Sequence, residues 1–364
     1  MMEEYFEGIH DPRQAWKIKH KLIEIIMIVI AAVAAECEAW YQIMHWCEKK
    51  AEFLKERLGL ELANGVPSHD TMERVFKVLR PEELENRFVL WTTGIVRLMR
   101  GDSINIDGKV LCGSGDDENE AIMMVSAWAN RERLVLGQLK VAEKSNEITA
   151  VPGLIEMLDV EGCVVTADAM NCQKEITEKA TENGAEYVLG LKGNHQILHE
   201  AVETHFMYEP SAYEVVYNED KGHGRKEKRE YWLETDIGFL DGIPERERWV
   251  NLNAVGMVKT AVEKKGEVVF EVRYFVTSLT DANEFARCVR EHWGIENSLH
   301  WCLDVGFRED ASRIRTDHSA ENFAIIRRIV MNLLKRDDAK MSLRVKRHRC
   351  AYDDDYLIKI LFGA

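Results

Sequence analysis

Two short apolar segments of this 364-residue chain end in an aspartate, and this feature constrains the fold most. The segment 104–106 ends at Asp107, and the segment 163–167 ends at Asp168. Their β-branched residues favour short buried strands. A carboxylate at the end of a buried strand is costly unless something pairs with it. A divalent cation is a suitable partner because Mg²⁺ prefers hard oxygen ligands, and adjacent strands would place both acids side by side.

The pattern around these acids predicts an α/β fold with a mixed sheet. Alternating and β-branched runs predict a meander of three strands, followed by alternating helices and strands. The expected strands are 103–106, 121–128, 134–141, 163–167 and 187–191, and the expected helices are 148–158 and 172–182. This order is the one expected of an RNase H-like core. We therefore predict a catalytic domain over 100–334.

Residues 1–99 predict a separate helical domain. The run Leu22–Ala35 is apolar nearly all round, which favours a helix buried on several sides. A second helix is expected over 39–58, and Ser68 or Asp70 can cap the next one. Because Arg74 and Lys77 follow a short break between helices, this region could contact DNA as a helix-turn-helix does. A plain helical packing domain is the alternative.

The segment from about 210 to 280 predicts a β-rich insertion. Strands are expected within 215–217, 229–233, 254–260 and 268–277, and the chain is helical again from Asp281 to Leu299. That last helix carries Glu296 among aromatic residues. A third acid from a helix would complete two octahedral metal sites with Asp107 and Asp168.

Charge bears on the partner only weakly. The formal net charge is -15, which argues mildly against DNA binding because phosphates are neutralised by Lys and Arg. A metal-dependent nuclease, however, concentrates carboxylates at its site and places basic residues locally. The C-terminal segment 335–364 is locally basic and is either a DNA contact or a solvated face. Its basic residues are Lys335, Arg336, Lys340, Arg344, Lys346, Arg347 and Arg349.

Cysteine and hydropathy patterns bear on the compartment. The eight cysteines include no C-x-x-C pair, which indicates reduced thiols in a cytosolic protein. The acidic start indicates no signal peptide. The longest uncharged apolar run, Ile25–Ala35, is about half the roughly 20 residues that a bilayer span needs. We expect a cytoplasmic, nucleoid-associated protein with no membrane contact.

In several motifs the sequence resembles the H-repeat-associated transposases, which are insertion-sequence enzymes of the DDE superfamily. The motifs occur in the family's order along essentially the whole chain. They are Asp11-Pro12-Arg13, Pro67-Ser68-His69-Asp70-Thr71, Ile106-Asp107-Gly108-Lys109, Val125-Ser126-Ala127-Trp128, Glu143-Lys144-Ser145-Asn146-Glu147-Ile148, Asp168-Ala169-Met170, Leu191-Lys192-Gly193-Asn194, Gly222-His223-Gly224-Arg225, His292-Trp293-Gly294-Ile295-Glu296-Asn297, Phe307-Arg308-Glu309-Asp310 and Asp353-Asp354-Asp355-Tyr356.

This resemblance implies an RNase H-like fold and metal-dependent cleavage and transfer of DNA strands. By motif, the catalytic and metal-binding acids fall on Asp107, Asp168 and Glu296, with two Mg²⁺ (or Mn²⁺) ions as cofactors. The substrate would be double-stranded DNA at the ends of the protein's own element, and a homodimer is expected because two ends must be joined. A nuclease without strand transfer and a DNA-binding relic without catalysis are the alternatives.

Residues near the acids are candidates for DNA contact. They are Lys109, Lys192, Asn194, His223, Arg225, Arg290, His292 and Trp293. Lysines after strands could bind phosphate, and a tryptophan could stack on bases. Exposed loop lysines, an ordinary basic hairpin tip and core packing are the plain alternatives.

The chain departs from the family's pattern at two places. Val110-Leu111-Cys112-Gly113 replaces a first motif that usually contains an Arg. Related families also place Tyr, Arg and Lys around the catalytic Glu, where this chain has Val289, His292 and Leu303. We expect Arg290 and His292 to supply the positive charge instead.

Overall fold

The structure is a computed structural model that describes residues 2–115, 120–141, 147–208, 214–222, 225–264 and 267–363. The N-terminal region is helical, as predicted. Its helices are α1 (Met2–Phe6), α2 (Leu22–Ala34), α3 (Trp40–Lys49), α4 (Ala51–Glu56), α5 (His69–Val78) and α6 (Pro81–Ile95). Helix α2 is buried along nearly its whole length, which explains why it is apolar on every side. Ser68 caps α5 by accepting a hydrogen bond from the Thr71 amide.

The strands of the described residues form one nine-stranded mixed sheet. They are β1 (Ser103–Val110), β2 (Met123–Ala129), β3 (Leu134–Lys140), β4 (Val164–Ala167), β5 (Glu186–Leu191), β6 (Glu214–Gly222), β7 (Arg225–Glu234), β8 (Ala254–Lys264) and β9 (Glu267–Thr277). The order across the sheet is β3-β2-β1-β4-β5-β9-β8-β7-β6. The first three strands are antiparallel, and β1, β4 and β5 are parallel. This arrangement confirms the RNase H-like prediction.

The predicted insertion continues the same sheet. Strand β9 pairs antiparallel with β5, and β8, β7 and β6 follow in antiparallel order. The strands β6 to β9 fall within the segment 210–280 that the sequence indicated. Because β9 pairs with β5, the insertion extends the sheet directly beside the parallel strands β1, β4 and β5.

Helices cover the sheet and connect its strands. They are α7 (Glu147–Met157), α8 (Lys174–Glu182), α9 (Gln196–Tyr208), α10 (Ala282–Ile295), α11 (Trp301–Phe307), α12 (Ser319–Arg336), α13 (Leu343–Tyr352) and α14 (Asp354–Phe362). In the part of the chain that the structure describes, no helix is both long and apolar enough to cross a membrane.

The C-terminal helices share a hydrophobic core with the N-terminal ones. Side chains of α12, α13 and α14 are buried against α2 and its neighbours. Within the predicted basic segment, Lys346 and Arg347 are buried and donate to backbone carbonyls, among them Leu334 and Val33. These two cations therefore stabilise the fold and do not form part of a solvated basic face. The domain boundaries themselves stay predictions.

Candidate functional site

The register of β1 and β4 brings the two strand-end aspartates together. These parallel strands pair Ile104 with Val165 and Ile106 with Ala167. Asp168 directly follows β4, but β1 continues through Asp107 to Val110, so the expected end of that strand at Asp107 is wrong. Asp107 and Asp168 are each one residue beyond the last β1–β4 pair, so they lie side by side. Parallel β-strands deliver their carboxyl ends to one edge, which is where ligand sites form in α/β sheets. The sequence pattern predicted this neighbourhood from the two apolar runs.

Glu296 reaches the same edge from a distorted helix. Helix α10 ends at Ile295, and one π-helical turn, Glu296–His300, follows it before α11 begins. Such turns are rare inside helices and are frequent at functional sites. The turn places Glu296 and His300 beside Asp107. The His300 Nδ1 lies 3.7 Å from Asp107 Oδ2 and 3.6 Å from Glu296 Oε2.

A cavity of about 330 Å³ contains all three predicted acids. Its wall is formed by the ends of β4, β5 and β9 together with α10. Among its lining residues are Asp107, Asp168, Lys192, His292, Trp293 and Glu296. The cavity therefore joins the acids to several of the side chains that the sequence offered as DNA contacts.

Asp107 and Glu296 are in contact, and their pKa values shift in opposite directions. Burial, followed by contact with Glu296 and the charge of Asp168, raises the pKa of Asp107 above its usual value. Contact with His300 holds the pKa of the more exposed Glu296 below its usual value. Burial therefore dominates at Asp107, and the neighbouring imidazole dominates at Glu296.

Each aspartate has one oxygen held by the protein. Asp107 Oδ1 accepts from the Gly108 amide at 2.9 Å. Asp168 Oδ1 accepts from the Asn171 backbone amide at 3.1 Å and from Asn171 Nδ2 at 3.0 Å. Among the described residues, Asp168 Oδ2 has no hydrogen-bond partner. Each carboxylate is thus oriented through Oδ1, while Asp107 Oδ2 faces Glu296 and His300 and Asp168 Oδ2 is available for a ligand.

The donor set at this edge fits a divalent metal ion. Ligand atoms of Asp107, Glu296 and His300 all lie within 4.8 Å of one another. Carboxylates suit Mg²⁺ and Mn²⁺, and imidazole is an accepted nitrogen ligand for transition metals. Burial and the neighbouring carboxylates both raise the pKa of Asp107, and a bound cation would favour its charged form. The identity and number of ions belong to the proposal below.

His300 is the site residue that the sequence interpretation missed. It is buried, and its Nε2 has no hydrogen-bond partner among the described residues. Residues four apart on a helix share a face, so its spacing from Glu296 is the signal that could have found it. No sequence pattern predicted the π-helical turn.

Lys109 and Arg290 are both paired with acids in this structure. The Lys109 ammonium lies 2.7 Å from Asp304 Oδ1 and 3.0 Å from Asp310 Oδ1, with its side chain only 9% exposed. Burial alone would lower the pKa of Lys109, but the hydrogen bonds to these two aspartates outweigh it and raise the pKa. Arg290 Nη2 lies 2.9 Å from Asp220 Oδ2. As DNA contacts, both residues stay predictions.

Asn194, Lys192 and Trp293 lie around the cavity. Asn194 Nδ2 donates to the Ala169 carbonyl at 2.9 Å, which ties it to the loop after Asp168. Lys192 and Trp293 line the cavity and are exposed, and the Arg273 guanidinium lies 4.7 Å from the Trp293 ring centroid.

Three other candidates have different outcomes. Burial lowers the pKa of His292 to about 4, which disfavours a positive charge on its ring at neutral pH. As a source of positive charge and as a DNA contact, His292 stays a prediction. Among the remaining candidates, His223 lies outside the described residues. Arg225 begins β7, and only its backbone is described.

The sequence matches two protein families and several known proteins. Residues 3–92 match the family described as DDE_Tnp_1-associated, and residues 109–333 match the Transposase DDE domain. Two relatives come from Escherichia coli (strain K12). "Putative protein YbfL" is 38% identical over 373 residues, which cover 99% of this chain and 97% of the relative. "H repeat-associated putative transposase YhhI" is 38% identical over 376 residues, with the same coverages.

A solved structure also aligns with the chain. It is the cryo-EM structure of a piggyBac transposase synaptic complex with hairpin DNA, at 10% identity and a TM-score of 0.40. The alignment covers 96% of this chain and 76% of that one.

Proposed function

The chain belongs to the DDE transposase family, and from this premise we propose that it cleaves DNA at the ends of its own insertion element and transfers the strands to a target. Asp107, Asp168 and Glu296 would be the catalytic acids. The substrate would be double-stranded DNA, and two copies of the chain would act together because two ends must be joined. An enzyme of this kind would work at the nucleoid.

One observation carries the proposal. Three acids that are far apart in the sequence line one cavity, where two come from adjacent parallel strands and the third from a π-helical turn. Carboxylates that converge on one cavity repel one another, and such clusters are typical of functional sites. Among the described residues that line the cavity, Lys192 and Arg273 are the only Lys or Arg side chains that could balance the negative charge of the acids.

The acids would hold two divalent ions, Mg²⁺ or Mn²⁺, with His300 as an additional ligand. When bound, such ions lower the pKa of an attacking water or hydroxyl and stabilise the leaving oxygen of a phosphodiester. The chain itself would orient the carboxylates, through Gly108 for Asp107 and through Asn171 for Asp168. Trp293 would offer its exposed face to a DNA base at the mouth of the cavity.

Cleavage of labelled element-end DNA in Mg²⁺ tests the proposal. The wild type should nick the DNA at the element boundary and join the released end to target DNA. Asp107→Asn, Asp168→Asn and Glu296→Gln should each reduce cleavage by about 10³-fold or more, as expected when charge stabilisation of a transition state is lost. EDTA should abolish cleavage by the wild type.

Glu284→Gln is the matched control, because Glu284 is a half-buried acid on α10 that pairs with Arg287 and lies outside the cavity. It should cleave as the wild type does. Wild-type protein that binds the DNA without cutting it would favour the DNA-binding relic. Cutting without joining would favour a nuclease. Unimpaired cleavage by the acid variants would contradict the site assignment.

A further inference from the structure

A hydrogen-bond relay holds the His292 ring and makes its Nδ1 a donor. Its Nδ1 lies 2.8 Å from Thr166 Oγ1, and Thr166 Oγ1 lies 3.0 Å from Asn105 Oδ1. Thr166 is buried on β4, and Asn105 is buried on the neighbouring strand β1. The relay therefore ties α10 to the two strands that deliver the aspartates.

The orientation of the Asn105 amide follows from its other partner. Asn105 Nδ2 donates to the Glu291 carbonyl at 2.6 Å, so its amide nitrogen faces α10. Its Oδ1 is consequently the atom that faces Thr166, and a carbonyl oxygen can only accept. Ser103 Oγ, at 2.5 Å, also donates to this oxygen.

The Thr166 hydroxyl has one proton, which it donates in the hydrogen bond to Asn105 Oδ1. Thr166 Oγ1 must then accept from His292, so the proton of the imidazole resides on Nδ1. With its proton on Nδ1, a neutral ring, which the lowered pKa of His292 favours, has an unprotonated Nε2. Among the described residues, no hydrogen bond to His292 Nε2 is formed, and His292 lines the same cavity as the three acids.

We propose that His292 is a neutral hydrogen-bond acceptor in this cavity. Its Nε2 accepts a hydrogen bond from the attacking water or 3′-hydroxyl and so positions that nucleophile. This inference rests on the proposed function. The hydroxyl donates to Nε2, no covalent bond to His292 forms, and Thr166 and Asn105 act only by orienting the ring. When the carboxylates bind metal ions, few other hydrogen-bond acceptors remain in the cavity. The lone pair of a neutral His292 Nε2 would then be available to accept from the nucleophile.

The tautomer is measurable without any enzymatic activity. Long-range ¹H–¹⁵N correlation spectra of the full chain, labelled at its 12 histidines, report which ring nitrogen carries the proton, and the signal lost in His292→Gln assigns the residue. At pH 7 we expect the Nδ1–H form. An Nε2–H form or an imidazolium would overturn the inference.

Substitution of Thr166 tests the relay. Thr166→Val keeps the shape of the side chain but removes the hydroxyl, so the Nδ1–H signal of His292 should shift or be lost. Thr166→Ser retains the hydroxyl and should restore it. Thr181→Val, which removes a hydroxyl that bonds to Thr177 on α8, should leave the His292 signal unchanged. A His292 signal indifferent to Thr166→Val would overturn the relay.

Kinetics test the role of the acceptor. His292→Gln and Thr166→Val should lower kcat for cleavage about tenfold, the effect of one lost hydrogen bond in the transition state, and leave KM for DNA unchanged. Thr166→Ser should recover kcat. A raised KM with unchanged kcat would identify His292 as a DNA contact and overturn the inference.

Mn²⁺ binding separates the acceptor from a metal ligand. By calorimetry with Mn²⁺ alone, His292→Gln should keep the wild-type affinity within about twofold, whereas a lost metal ligand costs on the order of tenfold or more. A large loss of Mn²⁺ affinity would overturn the acceptor role. Wild-type protein that cleaves no DNA would overturn the proposed function and the role toward the nucleophile. In that case the spectra still decide, separately, whether the ring is held as inferred.

Discussion

At the residue scale, Asp107 is the acid of the site whose charged form is most disfavoured by its surroundings. Its side chain is mostly buried, and it lies beside two further acids and an imidazole. Active sites often store such unfavourable interactions, which the rest of the fold offsets. The metal-free protein should therefore be less stable than a variant from which this charge is removed.

Asp107→Asn should stabilise the metal-free protein at alkaline pH. A carboxyl with a raised pKa in the folded state binds a proton more tightly there than in the unfolded chain, so its contribution to stability is lost as pH rises through the raised pKa. The side chain introduced by Asp107→Asn is neutral at every pH, so the variant does not lose stability through ionisation at this position. In EDTA, its Tm should exceed that of the wild type by about 2 °C or more at pH 8 and by less at pH 5.

Scanning calorimetry at both pH values measures this difference. Asp338→Asn, at a side chain that is 98% exposed, should track the wild type at each pH. A variant Asp107→Asn that melts below the wild type at pH 8 would show that the carboxylate stabilises the metal-free fold, which contradicts the repulsion argued here.

Sequence patterns found two of these acids more firmly than the third. Asp107 and Asp168 each follow a short run of buried strand residues, so this pattern identifies them without any relative, although β1 itself continues past Asp107 to Val110. Glu296 stands on a helix with Glu291 and Asp304 nearby, and only the family motif singled it out. His300 was missed because its role depends on a π-helical turn, which forms through packing and has no local sequence signal.

At the element scale, Lys109 connects β1 to the helical segment after Glu296. Its ammonium bridges Asp304 on α11 and Asp310 in the turn that follows. Lys109→Met should leave these carboxylates facing each other without a cation. We expect the free energy of unfolding to fall by about 2 kcal/mol, less than for a fully buried pair because both aspartates are partly exposed.

Urea denaturation measures this loss, and Lys55→Met is the control because Lys55 is exposed on α4. DNA binding by the same variants separates the two roles offered for Lys109. An unchanged free energy of unfolding together with a large loss of DNA affinity would show that Lys109 contacts phosphate and does not stabilise the packing of β1 against α11.

Element boundaries were predicted well where periodicity is strong. The sequence indicated β1 to β5 and the strands of the insertion. The helix predicted over 39–58 is instead divided at Lys50, because α4 turns to bury Phe53 and Leu54. Helix α9 was not predicted, since 196–208 mixes polar residues with a weak apolar stripe. Tertiary packing decides both cases.

At the scale of the whole molecule, the two ends of the chain form one core around α2. Arg347 donates two hydrogen bonds to the Val33 carbonyl and contacts Glu38, so α13 is attached to the end of α2. The basic composition of the C-terminal segment suggested a surface for DNA. Composition alone could not reveal that Lys346 and Arg347 point inward, because burial of a cation depends on partners distant in the sequence.

Leu357→Ala tests this closure of the chain. Leu357 on α14 is fully buried in the core that contains α2, and its truncation should lower the free energy of unfolding by about 2–5 kcal/mol. Val345→Ala on the exposed face of α13 should change it by less than about 0.5 kcal/mol. Equal and small effects in urea denaturation would mean that the C-terminal helices are a dispensable appendage.

The central claim is that Asp107, Asp168 and Glu296 together hold divalent ions for DNA cleavage. Anomalous diffraction from crystals of the protein with element-end DNA and Mn²⁺ tests it most directly. The account predicts two Mn²⁺ peaks, about 3.5–4 Å apart, with carboxylate oxygens of the three acids coordinating them. The absence of Mn²⁺ from the cavity, or its binding only at other carboxylates, would contradict the account.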